Sequence, residues 1–275
     1  MAAFPQRVVL GRSGLPVSKL GLGSSFKAPT SAYREAFEHG VNYFYWGSVR
    51  RSAMRRALAE ISADRRDELV VVLQSYSRVG RLLELFVERG LRDLGMERVE
   101  VLLLGWHNNV PSQRVLDAAR ELKEKGRIGC IAISTHHRRL LPTLIDDDDY
   151  SIWHVRYNAV HRGAEREVFP SLEGRETSQR PGMVTYTTTR WGDLCNPSKT
   201  PPGERTPTGT DCYRFSISNA SVDLCLAGPD DPEQMKQALE ALELGPMSED
   251  ELAWMRRVGD HIYASASAAS IMDGK

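Results

Sequence analysis

Apolar positions along the chain alternate between two patterns. Short runs rich in Val, Ile and Leu, such as "ELVVVLQS" (68–75), "VEVLLLGW" (99–106) and "IGCIAIS" (128–134), show little alternation and read as strands buried on both faces. Between them lie amphipathic stretches. In "SAYREAFEHG" Ala32, Tyr33, Ala36 and Phe37 share one helical face, and in "SAMRRALAEIS" Met54, Ala57, Leu58 and Ile61 do the same. Segments 18–24, 41–46, 151–158, 182–189 and 222–228 bring the strand candidates to eight, nearly all followed by a helix. "RRLLPTLIDD" and the less periodic "AEREVFPSLEG" are read as the helices after the fifth and sixth strands. Eight such units in 275 residues predict one (β/α)8 TIM barrel spanning residues 1–275, rather than an open doubly wound sheet.

Three segments fall outside the repeat. "RVVLGRSGLPVSKLG" has Ser-Gly between two apolar stretches and predicts an N-terminal β-hairpin that plugs the barrel floor. At the other end Ser248 and Glu251 have capping-box spacing, ahead of a stripe of Leu252, Met255, Val258 and Ile262 that would pack on the barrel wall. Residues 264–275 are expected to fray. Residues 195–211, rich in Pro, Gly and Thr, are expected to form an irregular loop at the mouth, with a short helix in "DCYRFSISN".

Charge narrows the partners. Lys+Arg and Asp+Glu balance at 36 each, so no overall field draws the chain to nucleic acid or an anionic membrane, and a small-molecule substrate is the expectation. No apolar run reaches the roughly 20 residues of a membrane span, and the first residues lack the apolar core of a signal peptide. The four cysteines show neither C-x-x-C nor zinc-site spacing; Cys130 and Cys225 sit in apolar runs as buried thiols. A cytoplasmic setting and no bound metal are expected.

In a barrel of this kind function collects where strands run out into the following loops. Those positions carry Tyr45, Trp46, Arg50, Gln74, Tyr76, Trp106 and His107, then Ser134, His136, His137, His154, Arg156, Tyr186 and Arg190. Carboxylates are absent from the set, which disfavours hydrolysis by paired acids and a Mg²⁺ site. Trp46, Trp106 and Trp191 read either as an aromatic rim for a flat ligand or as core.

The pieces "RVVLGRSGLPVSKLGLGSS", "AFEHGVNYFYWGS", "VEVLLLGWH", "LKEKGRIGCIAIS", "VRYN", "GMVTYTTTRWGDL" and "LAGPDDPEQMKQALEAL" resemble successive landmarks of the aldo-keto reductases over about residues 7 to 260. The resemblance implies hydride transfer between NADPH and a small carbonyl or alcohol, with a tyrosine acid assisted by lysine, aspartate and histidine. At those four positions this sequence has Tyr45 for the aspartate, Arg50 for the tyrosine, Gln74 for the lysine and Gly105 for the histidine. Arg50 cannot act as an acid, because a guanidinium holds its proton above pKa about 12. Cofactor landmarks are better kept. Ser134 stands at the serine by the nicotinamide carboxamide, followed by Thr135 for an asparagine; His154 stands for a glutamine. Tyr186 stands at the aromatic that stacks on the nicotinamide, followed by Thr187. Gly228 could open a phosphate cradle, but Asp230 and Asp231 stand where a 2′-phosphate needs basic residues, so either NADP or NAD is open.

Two functions follow. One is an NAD(P)(H)-linked oxidoreductase whose acid is rebuilt from Tyr45, with Arg50 holding an oxyanion and His154 or His107 assisting. The other is a pseudo-enzyme, or a non-redox isomerase or dehydratase, in the same pocket. Tyr45 and Trp46 could equally fill the space of a discarded site.

Overall fold

The computed structural model describes residues 3, 4, 6–47 and 49–272, with side chains to residue 266. Strands β1 (Val8–Val9) and β2 (Pro16–Val17) form an antiparallel hairpin. Eight parallel strands follow: β3 (Leu20–Gly23), β4 (Tyr43–Trp46), β5 (Val70–Ser75), β6 (Val99–Leu104), β7 (Ile128–Ser134), β8 (Tyr150–Arg156), β9 (Gly182–Tyr186) and β10 (Leu224–Ala227). Each pairs with the next in chain order, and β10 pairs back onto β3, closing the barrel. The expected (β/α)8 fold is observed.

Helices α1 (Thr30–Glu38), α2 (Ser52–Arg65), α3 (Gly80–Leu94) and α4 (Gln113–Glu124) surround its first half. The buried faces of α1 and α2 are the eight residues that the periodicity selects. The segment after β7 is a 3-10 stretch, Arg138–Leu144, rather than an α-helix, because Pro142 lacks an N–H and its ring clashes with the preceding turn. After β8 only one α-turn forms, α5 (Ala164–Glu167), and Phe169–Ser171 is again 3-10 with a proline inside. Helices α6 (Gly209–Ile217), α7 (Pro232–Glu243) and α8 (Glu249–Met272) complete the wall. No helix among the described residues is long and apolar enough to cross a membrane.

Strand alternation sets two apolar layers. Tyr43, Val70, Val72, Val101, Leu103, Ala132, Ile152, Val184 and Leu224 pack inside the barrel. Their chain neighbours Phe44, Val71, Leu73, Leu102, Ile133, Trp153 and Met183 pack outward beneath the helices. Leu10 and Val17 of the hairpin join the inner set, fully buried, so the hairpin closes the floor. Because side chains alternate with period two, the same inner face carries Tyr45, Gln74, Gly105, Ser134, His154, Arg156 and Tyr186 at the upper strand ends.

Three boundaries differ from the sequence expectation. The ninth strand stops at Tyr186 instead of continuing to residue 189, since Thr187 takes a left-handed conformation at φ 61°. The mouth loop gives way to α6 at Gly209, where Thr208 and Asp211 make a reciprocal capping box, so residues 209–211 are helical. Helix α8 is capped by Ser248 and Glu251 as expected, with Met255, Val258 and Ile262 buried. It runs to Met272 where fraying is expected from residue 264: the Ala-rich stretch is a good helix former without a Gly or Pro to stop it. Residues 273–275 lie outside the described residues.

Candidate active site

A cavity of about 620 Å³ opens at the C-terminal ends of the strands, a size suited to a small organic molecule or part of a cofactor. It is lined by Tyr45, Gln74, Ser134, His154, Tyr186, Thr187 and Gly228 from the sequence candidates, together with His136, Trp106, Trp191 and Cys195. Among the described residues that line it there is no lysine or arginine, and Asp230 is its single carboxylate.

The floor is built from β4, β5 and β8. Tyr45 Oη donates a hydrogen bond to Gln74 Oε1. Gly105 makes room for this pair: a β-carbon there would fall on the Gln74 amide nitrogen and within 3.0 Å of Gln74 Cδ and Tyr76 Cδ1. His154, 1% exposed, has its Nε2 2.9 Å from the Tyr43 hydroxyl, and its ring centroid lies 6.2 Å from that of Tyr45. Burial pushes the His154 imidazole down to about 3, so it is neutral across the working pH range. Tyr43, which the sequence reading did not single out, sits two residues before Tyr45 on the same inner face, and that period is the signal that could have found it.

The wall opposite is made by β7 and β9. Ser134 Oγ accepts from the Trp106 backbone N–H at 2.9 Å and keeps its own proton to offer. Burial raises Tyr186 to about 12, so it remains a neutral phenol. Thr187 is β-branched yet left-handed, a costly conformation, and Asn158 Nδ2 pins it by donating to its carbonyl at 2.7 Å. Trp106, Arg190 and Trp191 are also left-handed, at φ 54°, 52° and 54°. The two tryptophans stand 55% and 74% exposed, which makes them a rim rather than core. The Trp106 and His136 rings lie 5.3 Å apart, tilted by 30°.

The third side is less suited to a phosphate. A β-carbon on Gly228 would collide with the Phe26 ring, so an aromatic covers the expected cradle. At the N-terminus of α7, Asp231 accepts from the Gln234 N–H at 2.8 Å, and Asp230 accepts from the Lys27 N–H at 3.0 Å. Asp231 already caps the helix end, and Asp230 adds a second carboxylate beside it. Ser134, Tyr186 and Thr187 would offer hydroxyls and an aromatic face to a nicotinamide, while no lysine or arginine among the described lining residues would meet a 2′-phosphate near Asp230.

Three candidates lie elsewhere. Arg50 does not reach the cavity: its guanidinium sits 4.3 Å over the Phe86 ring and donates to the Gln74 carbonyl at 3.2 Å, because the loop after β4 turns it toward α3. His107 is 4% exposed and lines a separate small cavity, where its Nε2 lies 3.0 Å from Arg78 Nη1. Burial and the Arg78 charge lower it to about 4. Thr135 is spent on the local turn, its Oγ1 accepting from the His137 N–H at 2.8 Å. Cys195 was not a candidate; it reaches the cavity from the mouth loop, 3.9 Å from Cys212 Sγ, and nothing in the sequence links the two.

Comparison with solved structures fits this geometry. An aldo-keto reductase from Bacillus halodurans in its holo form matches with a TM-score of 0.77 and 19% identity, over 92% of this chain and 95% of that one. An aldo/keto reductase from Klebsiella pneumoniae in complex with NADP and acetate matches at 0.73 and 19%, over 92% and 95%. One from Klebsiella pneumoniae in complex with NADPH matches at 0.72 and 20%, over 94% and 96%. At these identities the likeness establishes the fold, a barrel of aldo-keto reductase type. No protein-family model and no curated protein sequence matches the chain.

Proposed function

We propose that the chain is an aldo-keto-reductase-like oxidoreductase that binds a nicotinamide cofactor, NAD in preference to NADP, and reduces a small carbonyl compound with Tyr45 as proton donor. The observation that carries this is the Tyr45 hydroxyl on the cavity floor, flanked by His154 and facing a wall that holds Ser134 and Tyr186. A bound nicotinamide supplies the hydride. Ser134 offers its hydroxyl to the carboxamide and Tyr186 its ring face. Asp230 at the far end disfavours a 2′-phosphate.

Arg50, outside the cavity lining, lies within electrostatic reach of Tyr45. A neutral phenol is a stronger acid than the alcohol being formed, so it can give its proton downhill once Gln74 releases it.

A second reading, a barrel that binds its ligand without redox turnover, is favoured by one observation: Gln74 Oε1 already holds the Tyr45 proton. Fluorescence titration of NAD, NADH, NADP and NADPH, followed by an aldehyde panel with wild type and Tyr45→Phe, separates the two. Expected are tighter binding of the non-phosphorylated pair by both proteins and turnover that falls by roughly 10²-fold or more in Tyr45→Phe. Absence of binding by all four dinucleotides sinks the redox reading; equal turnover in the variant removes Tyr45 from it.

A further inference from the structure

The ends of β7, β8 and β9 bring three arginines, Arg138, Arg156 and Arg190, within electrostatic reach of His136, His161 and Tyr186; of these six, His136 and Tyr186 line the mouth cavity and the others stand behind them. Arg156 ends β8 two residues after His154, so its side chain leaves the strand on the barrel-interior side. Its register partner on β9 is Tyr186, which lines the cavity.

Two of the three charges are answered. Arg138 donates to Glu167 at 2.6 Å, and Arg190 pairs with Asp193. The Arg156 guanidinium, on a half-buried residue, makes no hydrogen bond or ion pair among the described residues. Two more buried atoms of the cluster, His161 Nδ1 and Arg190 Nε, also lack a partner there. His161 is fixed in place through Asn158, whose Oδ1 accepts the His161 N–H at 2.8 Å while its amide holds the Thr187 carbonyl. A half-buried guanidinium beside orphaned polar atoms is an arrangement that an anion would complete.

We propose that Arg156, with His161 and Arg190, forms an anion subsite that takes the carboxylate of a small carboxylic-acid substrate, whose apolar remainder lies in the cavity against Tyr186. One unanswered guanidinium matches one negative charge, and its planar fork suits a bidentate carboxylate. The field is consistent with this. Burial, then the charges of Arg156, Arg190 and Arg138, lower His161 to about 4; burial, then Arg156 and Arg138, lower His136. Both rings thus sit in a field that these guanidiniums make positive.

This subsite rests on the mouth cavity being the ligand site, as proposed above, and not on redox chemistry. Its test reads binding alone, without dinucleotide, so it fails or succeeds separately. Benzoate and its neutral isostere benzamide are titrated into the full-length protein by calorimetry, with wild type and Arg156→Gln. Benzoate is expected to bind wild type more tightly than benzamide, and to lose about tenfold or more in Arg156→Gln while benzamide is unchanged. Benzoate no tighter than benzamide in wild type, or equal benzoate affinity in the two proteins, overturns the proposal. If Arg156→Gln does not fold, the wild-type pair of titrations decides alone.

Discussion

Gln74 and Gly105 share one volume: the carboxamide of the first stands where a β-carbon on the second would be. The Tyr45–Gln74 hydrogen bond depends on that vacancy. Gly105→Ala must push the amide aside in a buried site, so it should cost roughly 1–3 kcal/mol, as overpacked cores do. Gln74→Ala opens the same space from the other side. The Gln74→Ala/Gly105→Ala double variant should therefore be more stable than the sum of the singles predicts, by 0.5 kcal/mol or more on the scale of contacting pairs. Denaturant unfolding of the four proteins measures this, and strict additivity would show the two residues to be independent.

Acid sensitivity is written into the buried imidazoles. His154 is held near 3, and His107 near 4, against an ordinary 6.5, mainly by burial. A depressed folded-state value means the unfolded chain binds more protons between the two values, so stability is full above about 6.5 and falls as pH drops toward 3–4. Each such histidine contributes a slope of up to about 1.4 kcal/mol per pH unit in that window. Thermal melts between pH 7 and 4.5 should show the loss, with a shallower slope in His154→Gln. A flat profile, or identical slopes, would contradict it.

The four thiols should differ sharply in reactivity. Burial raises Cys130 and Cys225 to about 12, and Cys212 is raised by its hydrogen bond with Cys195 and by burial. Cys195 is lowered by the same hydrogen bond and opens on the cavity. Because the thiolate is the nucleophile, iodoacetamide should modify Cys195 first, and mass spectrometry of the digest identifies the site. Preferential labelling at Cys130 or Cys225 would mean that the barrel opens more readily than the cavity is reached.

The parts legible in the sequence are those governed by strand period. Tyr45, Gln74, Ser134, His154 and Tyr186 stand at strand ends on one inner face, and alternation alone carries them into one cavity. Arg50 and His107 lie beyond the strands, where direction depends on loop torsions and on the partners Phe86 and Arg78, which no local pattern names. The left-handed Thr187 runs against the preference of its own residue type, and only Asn158, far along the chain, accounts for it. Cys195 and Cys212 meet because α6 folds back beneath the mouth loop.

The hairpin seated under Tyr43 and Val70, with Leu10 and Val17 wholly buried, leaves the barrel, among the described residues, a vessel closed at its floor and open at its mouth. Such a vessel is loaded and emptied in sequence. Whatever occupies the deep position beside Tyr45 must enter before, and depart after, anything seated above it at the tryptophan rim. Two-component kinetics should then show compulsory order, with the deeper occupant competing only with its own analogues.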